Sequence, residues 1–447
     1  MAAEASEVLR NVSFIEDFKS PYLKGVKFTF SQSGKRRSLD LVLRHSSVAV
    51  LLYHTELKKL LFVRQFRPAV LVGHILRQPE NFNKKLREIE WHTYDASHGY
   101  TLELCAGLID KDLPLVDIAR EEIEEECGYA VKSENMHLRS LSSVHIVAAH
   151  ESGGVQYLYY AEIDDSMKIT EGGGNVQEDE YITKVFLTEA EARAYLENDY
   201  PLSPPPLLYA LLWWFENKSP KKSVSSANIV PYKWHPKGIV PLEDLKFEPM
   251  DTSKRFVPLR MKFSLGSLSR TWDLALCDES FAILLYDDDK KELVLTQRFR
   301  PAAFVGLARH RSPAKTKLDS IDWSSQPPEW AYTLELCSGH HRRGIGAEEL
   351  EELVKKCVAL KCGYRLDSLD FVTSYIIGIS FSGDRQRVYY AKVNDSMKMK
   401  DWEPFEDIVP CSIPCEVIPS FLRAETPTGP PAVLFMMQWF LNNEQQR

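Results

Sequence analysis

The feature that most constrains this chain is that it repeats itself. SVAVLLYHTELKKLLFVRQFRPAVLVG (47–73) is matched by FAILLYDDDKKELVLTQRFRPAAFVG (281–306), and YTLELCAG (100–107) by YTLELCSG (332–339). YLYYAEIDDSMK (157–168) is matched by RVYYAKVNDSMK (387–398), and LLWWF (211–215) by FMMQWF (435–440). The order is kept and the spacing between copies is nearly constant, so one fold is written twice. A period of more than 200 residues is too long for a solenoid unit, and each copy has the length of a domain. Residues 1–216 are expected to form the first domain and 233–447 the second. Between them, 217–232 opens with the polar, Ser/Lys-rich NKSPKKSVSSAN, which reads as a linker.

Each copy runs through the same coarse order. β-rich runs come first, then a loop-rich insertion, YTLELC, a helix ending at Cys-Gly-Tyr, more strands and a final apolar helix. Strands mixed with two helices predict an α/β sandwich of layers. The formal net charge is −8 with no long basic run, which argues against nucleic acid or an anionic membrane as partner. The longest apolar run, LLYALLWWF (207–215), is far short of the roughly 20 residues of a membrane span. MAAEASEVLRNVSF at the N-terminus has no basic-then-apolar signal. The eight cysteines show no disulfide framework, so reduced thiols and a cytoplasmic location are expected.

One segment departs from ordinary helix chemistry. LVDIAREEIEEE (115–126) has apolar residues at Val116, Ala119, Ile123 and Cys127, the stripe of an amphipathic helix, and Gly128 follows as its cap. Glu122, Glu125 and Glu126 share a face beside that stripe. Each like-charge pair costs about 0.2–0.5 kcal/mol, and anions in a last turn oppose the helix dipole by about 0.3–1 kcal/mol each. Two readings are open: a solvated charged face, or carboxylates that wait for a hard divalent cation.

GLIDKDLPLVDIAREEIEEECGY (107–129) resembles the signature of the Nudix hydrolases. Gly107, Glu122, Ile123, Glu125, Glu126 and Gly128 match it at the family's spacing. Leu113 stands where the family has its first Glu, Glu121 where it has Arg (Arg120 is the neighbour), and Tyr129 at the final aliphatic position. VRQFRPAV, TLELCAGLID and the GGGNVQEDEYI loop extend the resemblance to the UDP-sugar and ADP-ribose pyrophosphatase branch. It covers 20–216 and, at lower fidelity, 253–443.

The resemblance implies two tandem Nudix folds, each a mixed β-sheet in an α/β/α sandwich. It implies Mg²⁺ or Mn²⁺ held by Glu122, Glu125 and Glu126 with Gly107, and Glu178 or Glu180 as base or further ligand. It also implies hydrolysis of a nucleoside diphosphate sugar, UDP-glucose giving UMP and glucose 1-phosphate, with ADP-ribose as a second substrate. Arg64, Arg67 and Glu103 are candidates for substrate contact; a structural ion pair or sheet packing is the competing reading. The rival function is a non-enzymatic nucleotide-sugar binding or scaffold protein, supported by Leu113 and Glu121.

The second copy has lost the acids. With Cys-Gly-Tyr aligned, Glu122 faces Cys357, Glu125 faces Leu360 and Glu126 faces Lys361; Glu406 stays opposite Glu180, and Pro404 faces Glu178. This half is expected to be non-catalytic. Homodimers are common in the branch it resembles, so the two halves are expected to form an intramolecular pseudo-dimer.

Overall fold

A computed structural model describes residues 7–16, 20, 24–43, 45–137, 145–147, 154–175, 180–218, 232, 234–249, 256–313, 316–404, 408–423 and 429–443. Most of the expected linker, together with Glu178 and Glu406, lies outside the described residues.

The first half opens with β1 (Leu9–Ile15), β2 (Lys24–Gln32) and β3 (Lys35–Leu43). Then come β4 (Ser47–His54), β5 (Lys59–Phe66), α1 (Pro68–Leu76), β6 (Tyr100–Glu103), β7 (Cys105–Leu108) and α2 (Leu115–Glu122). It closes with β8 (Met136–His137), β9 (His145–Val147), β10 (Gly154–Ile163), β11 (Ile182–Thr188), α3 (Glu189–Leu196) and α4 (Pro205–Asn217). The second half opens with β12 (Glu243–Pro249), β13 (Phe256–Leu265), β14 (Leu268–Cys277), β15 (Glu279–Asp287), β16 (Glu292–Phe299) and α5 (Pro301–Arg311). It continues with β17 (Tyr332–Glu335), β18 (Cys337–His341), α6 (Ala347–Cys362), β19 (Asp370–Ile376), β20 (Arg385–Val393), β21 (Ile408–Pro414), α7 (Ile418–Arg423) and α8 (Pro431–Asn443).

The two main sheets share one topology. β11-β5-β4-β10-β8, with β6 on β5 and β7 on β4, answers to β21, β16, β15, β20 and β19, with β17 on β16 and β18 on β15. In each sheet the central pair, β4 with β10 and β15 with β20, is parallel.

Alternation along the central strands explains the layering. In β4, Val48, Val50 and Leu52 face a core with Ile118, Ile123 and Cys127, while Ala49 and Leu51 face a core containing α4. In β15, Phe281, Ile283 and Leu285 face Leu350, Val354 and Cys357 of α6, while Ala282 and Leu284 join the other core. A strand covered on both faces carries a near-continuous apolar run: β15 is buried along its whole length and reads FAILLY between its polar ends. Each sheet is therefore the middle layer of an α/β/α sandwich, as the resemblance implies. The inner core is common to both halves, where α4 packs on α8.

The repeat alone did not disclose how the halves are joined. β1 pairs with β13, and β12 pairs with β2. Each half's leading strand thus completes the other half's hairpin. Buried Leu9 of β1 sits among Leu259, Met261, Phe263 and Leu265 of the second half. All eight cysteines are free. Among the described residues, no helix is long and apolar enough to cross a membrane.

Candidate active site

The acidic segment does not continue as the unbroken α-helix its apolar spacing predicts. After α2 the chain makes one π-helical turn, Ile123–Cys127, before Gly128 ends it at φ +80°. The Gly128 N–H reaches the Ile123 carbonyl at 2.9 Å, which closes a wider ring and changes the register of the last turn. Ile118 joins the buried stripe, Val116 is only half-buried, and Glu126 points inward while Glu125 stays exposed. A side chain at Gly128 would strike the backbone of Thr170 and Gly172. The residue that caps the helix therefore also lets the following loop lie against it.

That loop ties off the helix. The Gly173 and Gly174 N–H groups donate to the carbonyls of Glu126 and Glu125 at 3.0 and 3.2 Å, satisfying acceptors that a helix end leaves open. Lys184 Nζ donates to the Cys127 carbonyl at 3.1 Å, a cation where the helix dipole favours one. No sequence motif singled Lys184 out. Glu180 closes the loop: its N–H donates to the Asn175 carbonyl at 3.1 Å, and the Asn175 N–H approaches its carboxylate at 3.5 Å.

β7 shapes the other wall. The Ala106 N–H donates to the Glu126 carboxylate at 3.0 Å. A methyl group at Gly107 would overlap the Glu122 carboxyl group, so the glycine provides the space in which Glu122 lies. Burial pushes Glu122 up to about 7, with repulsion from Glu125 and Glu180 added. Burial likewise holds Glu126 well above the usual carboxylate range, and Glu180 and Glu122 add to it. Glu122, Glu125, Glu126 and Glu180 thus form one mutually repelling group of hard oxygen donors. Among the described residues, no three acidic, histidine or cysteine side chains meet closely enough to hold an ion as they stand. The donor chemistry nonetheless fits a divalent cation, which would relieve both the burial and the repulsion.

The residues around this group have defined partners. Glu121 pairs with Lys111 at 2.6 Å on the surface. Arg120 donates to the Val131 carbonyl at 2.5 Å and to Asp117 at 3.1 Å, so it does not stand in for an arginine at position 121. Arg67 and Glu103 pair with each other through two hydrogen bonds of 2.7 and 2.8 Å. Burial opposes the Arg67 charge, but Glu103, Glu180 and Glu126 together raise its pKa, which puts this pair at the border of the acidic group. The second half repeats the pair as Arg300 and Glu335, with both hydrogen bonds at 2.7 Å. The pair is thus kept in the half where the acids are gone. Arg64 stacks on Tyr100, 4.1 Å from the ring centre.

The exchanged hairpin brings a second-half residue to this site. Arg270 of β14 lies 4.5 Å from the ring centre of Tyr181, the neighbour of Glu180, and Phe263 of β13 packs near Phe66. Sequence reasoning missed Arg270 because its position depends on strand pairing between the halves.

At the matching place in the second half, Leu360 is 49% exposed, and Lys361 Nζ donates to the Ser338 carbonyl at 2.6 Å. Here a cation fills the position that Glu126 occupies in the first half.

No protein-family model matches the chain. It is 32% identical over 209 residues to uridine diphosphate glucose pyrophosphatase NUDT14 of Bos taurus, covering 45% of this chain and 91% of that protein. The Mus musculus protein of the same name is 29% identical over 220 residues, covering 46% of this chain and 93% of that one. A GDP-mannose pyrophosphatase of Cronobacter sakazakii is 32% identical over 158 residues, covering 35% of this chain and 67% of that one. Among solved structures, an ADP compounds hydrolase aligns at a TM-score of 0.29 and 12% identity, covering 45% of this chain and 94% of that one.

Proposed function

Because the chain belongs to the Nudix hydrolases, we propose that its first half hydrolyses the pyrophosphate bond of a nucleoside diphosphate sugar. The specific reaction proposed is UDP-glucose to UMP and glucose 1-phosphate, with ADP-ribose as a second substrate. The observation that carries this reading is the group of Glu122, Glu125, Glu126 and Glu180, gathered around a glycine that leaves room for one of them.

Glu122, Glu125 and Glu126, with Gly107 beside them, would hold Mg²⁺ or Mn²⁺. Such an ion, when bound, neutralises phosphate charge, polarises the attacked phosphorus and makes a water more acidic. The protein's own part is positioning and proton transfer. The Ala106 amide fixes the Glu126 carboxylate. Glu180, electrostatically coupled to both Glu122 and Glu126, takes the proton of the attacking water or serves as a further ligand; Glu178 is the alternative for that role. Arg64 and Arg67 offer cations to the substrate phosphates, with Glu103 holding the Arg67 fork in place.

The second half, from 233 onward, is read as non-catalytic and as the first half's partner in an intramolecular pseudo-dimer. The exchanged strands and the Arg270–Tyr181 contact support this reading. Deleting 229–447 is then expected to destabilise the first half or raise its KM.

The test is to incubate the protein with UDP-glucose, GDP-mannose and ADP-ribose, with Mg²⁺ or with EDTA, and quantify nucleoside monophosphate and sugar phosphate. Metal-dependent release of both products supports the proposal, and the ratio of rates assigns the substrate. Binding without turnover would favour a nucleotide-sugar binding protein, a reading that the absence of an arginine at Glu121 and the other commitments of Arg120 support.

A further inference from the structure

The altered site of the second half has not merely lost its acids. Two cations have been brought to the place they left. Lys361, in the position of Glu126, donates to the Ser338 carbonyl at 2.6 Å. Arg298, in the position of the uncharged Gln65, donates to the Ser338 hydroxyl at 2.9 Å. Ser338 itself stands where Ala106 offers its amide to Glu126 in the first half. One strand residue therefore anchors an acid in one half and two cations in the other.

Arg298 and Arg300 share one carboxylate, that of Glu335. Glu335 is committed to Arg300 through two hydrogen bonds of 2.7 Å, and Arg298 reaches it only at 3.6 Å. Arg298 is only 15% exposed, and burial together with repulsion from Arg300 lowers its pKa. Glu335, shared with Arg300, opposes that shift only in part, and sheltering a guanidinium that only shares a carboxylate is unfavourable. A ligand carrying two negative charges would reverse that. A guanidinium fork beside an ammonium group suits phosphate oxygens better than a single carboxylate.

We propose that Arg298 and Lys361, converging on Ser338, form a metal-independent binding site for phosphate groups in the second half. The first half addresses phosphate through carboxylates and a cation; the second half addresses it with protein cations directly. This inference stands whether or not the first half is catalytic, because it concerns binding without metal.

The experiment is calorimetric titration of the full-length protein in EDTA with inorganic pyrophosphate, inorganic phosphate and UMP. Saturable binding of pyrophosphate is expected. Lys361→Gln and Arg298→Gln should each weaken it about tenfold or more, since each removes a charge-assisted hydrogen bond to the anion. UMP binding more tightly than phosphate would identify a nucleotide as the ligand; equal binding would identify the free anion. Absence of binding, or binding that Lys361→Gln leaves unchanged, overturns the proposal. Lys361 is part-exposed, so this variant decides the matter even where Arg298→Gln fails to fold, as circular dichroism would show.

Discussion

Replacing Glu122 by glutamine should make the metal-free protein more stable while it removes activity. Glu122 lies partly buried over Gly107, and its carboxyl is pushed from 4.5 to about 7 by burial and by Glu125 and Glu180. That difference corresponds to about 3 kcal/mol held against folding at high pH. The sign follows from proton uptake. Between 4.5 and about 7 the folded state keeps a proton that the unfolded state has lost, so stability falls as pH rises through that window and levels off above it. A glutamine at this position does not titrate and has no such dependence. In EDTA at pH 8 the Glu122→Gln protein should exceed the native chain by about 1–3 kcal/mol, the upper value being the full ionisation penalty. At pH 4, where Glu122 is protonated in both states, the two should nearly agree. Mg²⁺ should then stabilise the native chain more than the variant, because a bound ion is folding free energy. Denaturant unfolding at both pH values, with EDTA and with Mg²⁺, reads all four quantities. A variant no more stable than the native chain at pH 8 in EDTA, or an equal response of both to Mg²⁺, would refute the reasoning.

Gly107→Ala should cut kcat by displacing Glu122, with a stability change within about 1–3 kcal/mol; initial rates and melting curves separate the two effects. Leu9→Ala should cost about 2–5 kcal/mol, because Leu9 is fully buried among second-half residues, and chemical denaturation measures the loss. Glu335→Gln should cost about 3 kcal/mol or more by leaving Arg300 buried without its carboxylate. Arg300 outweighs burial and holds Glu335 down to about 2, so this stabilisation is complete above 4.5 and disappears as pH falls toward 2; acid unfolding of the native chain and the Glu335→Gln variant shows it. Arg270→Ala should raise the KM of the first half more than it lowers kcat, as expected for a contact to the loop that carries Glu180.

Much of the fold was legible because the chain states it twice. The continuous apolar runs VAVLLY and FAILLY suit strands covered on both faces, and both faces of those strands are observed cores. The electrostatic conflict among Glu122, Glu125 and Glu126 was legible from their spacing, and burial and mutual repulsion raise Glu122 and Glu126 as that conflict requires. The π turn was not, since the same apolar stripe suits an ordinary helix; only the Gly128-to-Ile123 hydrogen bond reveals it. Strand exchange was hidden for a different reason. Nothing in the sequences of β1 and β12 says which half's hairpin each will join. Lys184 and Arg270 act through three-dimensional placement alone, so no local pattern could name them.

The central claim is that hydrolysis belongs to the acidic helix of the first half and not to its counterpart. It is tested most directly by Mg²⁺-dependent release of UMP from UDP-glucose, compared between Glu125→Gln and Leu360→Ala, which change matched positions of the two halves. Glu125→Gln is expected to lose about a hundredfold or more in kcat, corresponding to about 2.7 kcal/mol of transition-state stabilisation, and Leu360→Ala to retain the native rate. Equal rates in both variants, or a loss confined to Leu360→Ala, would contradict it.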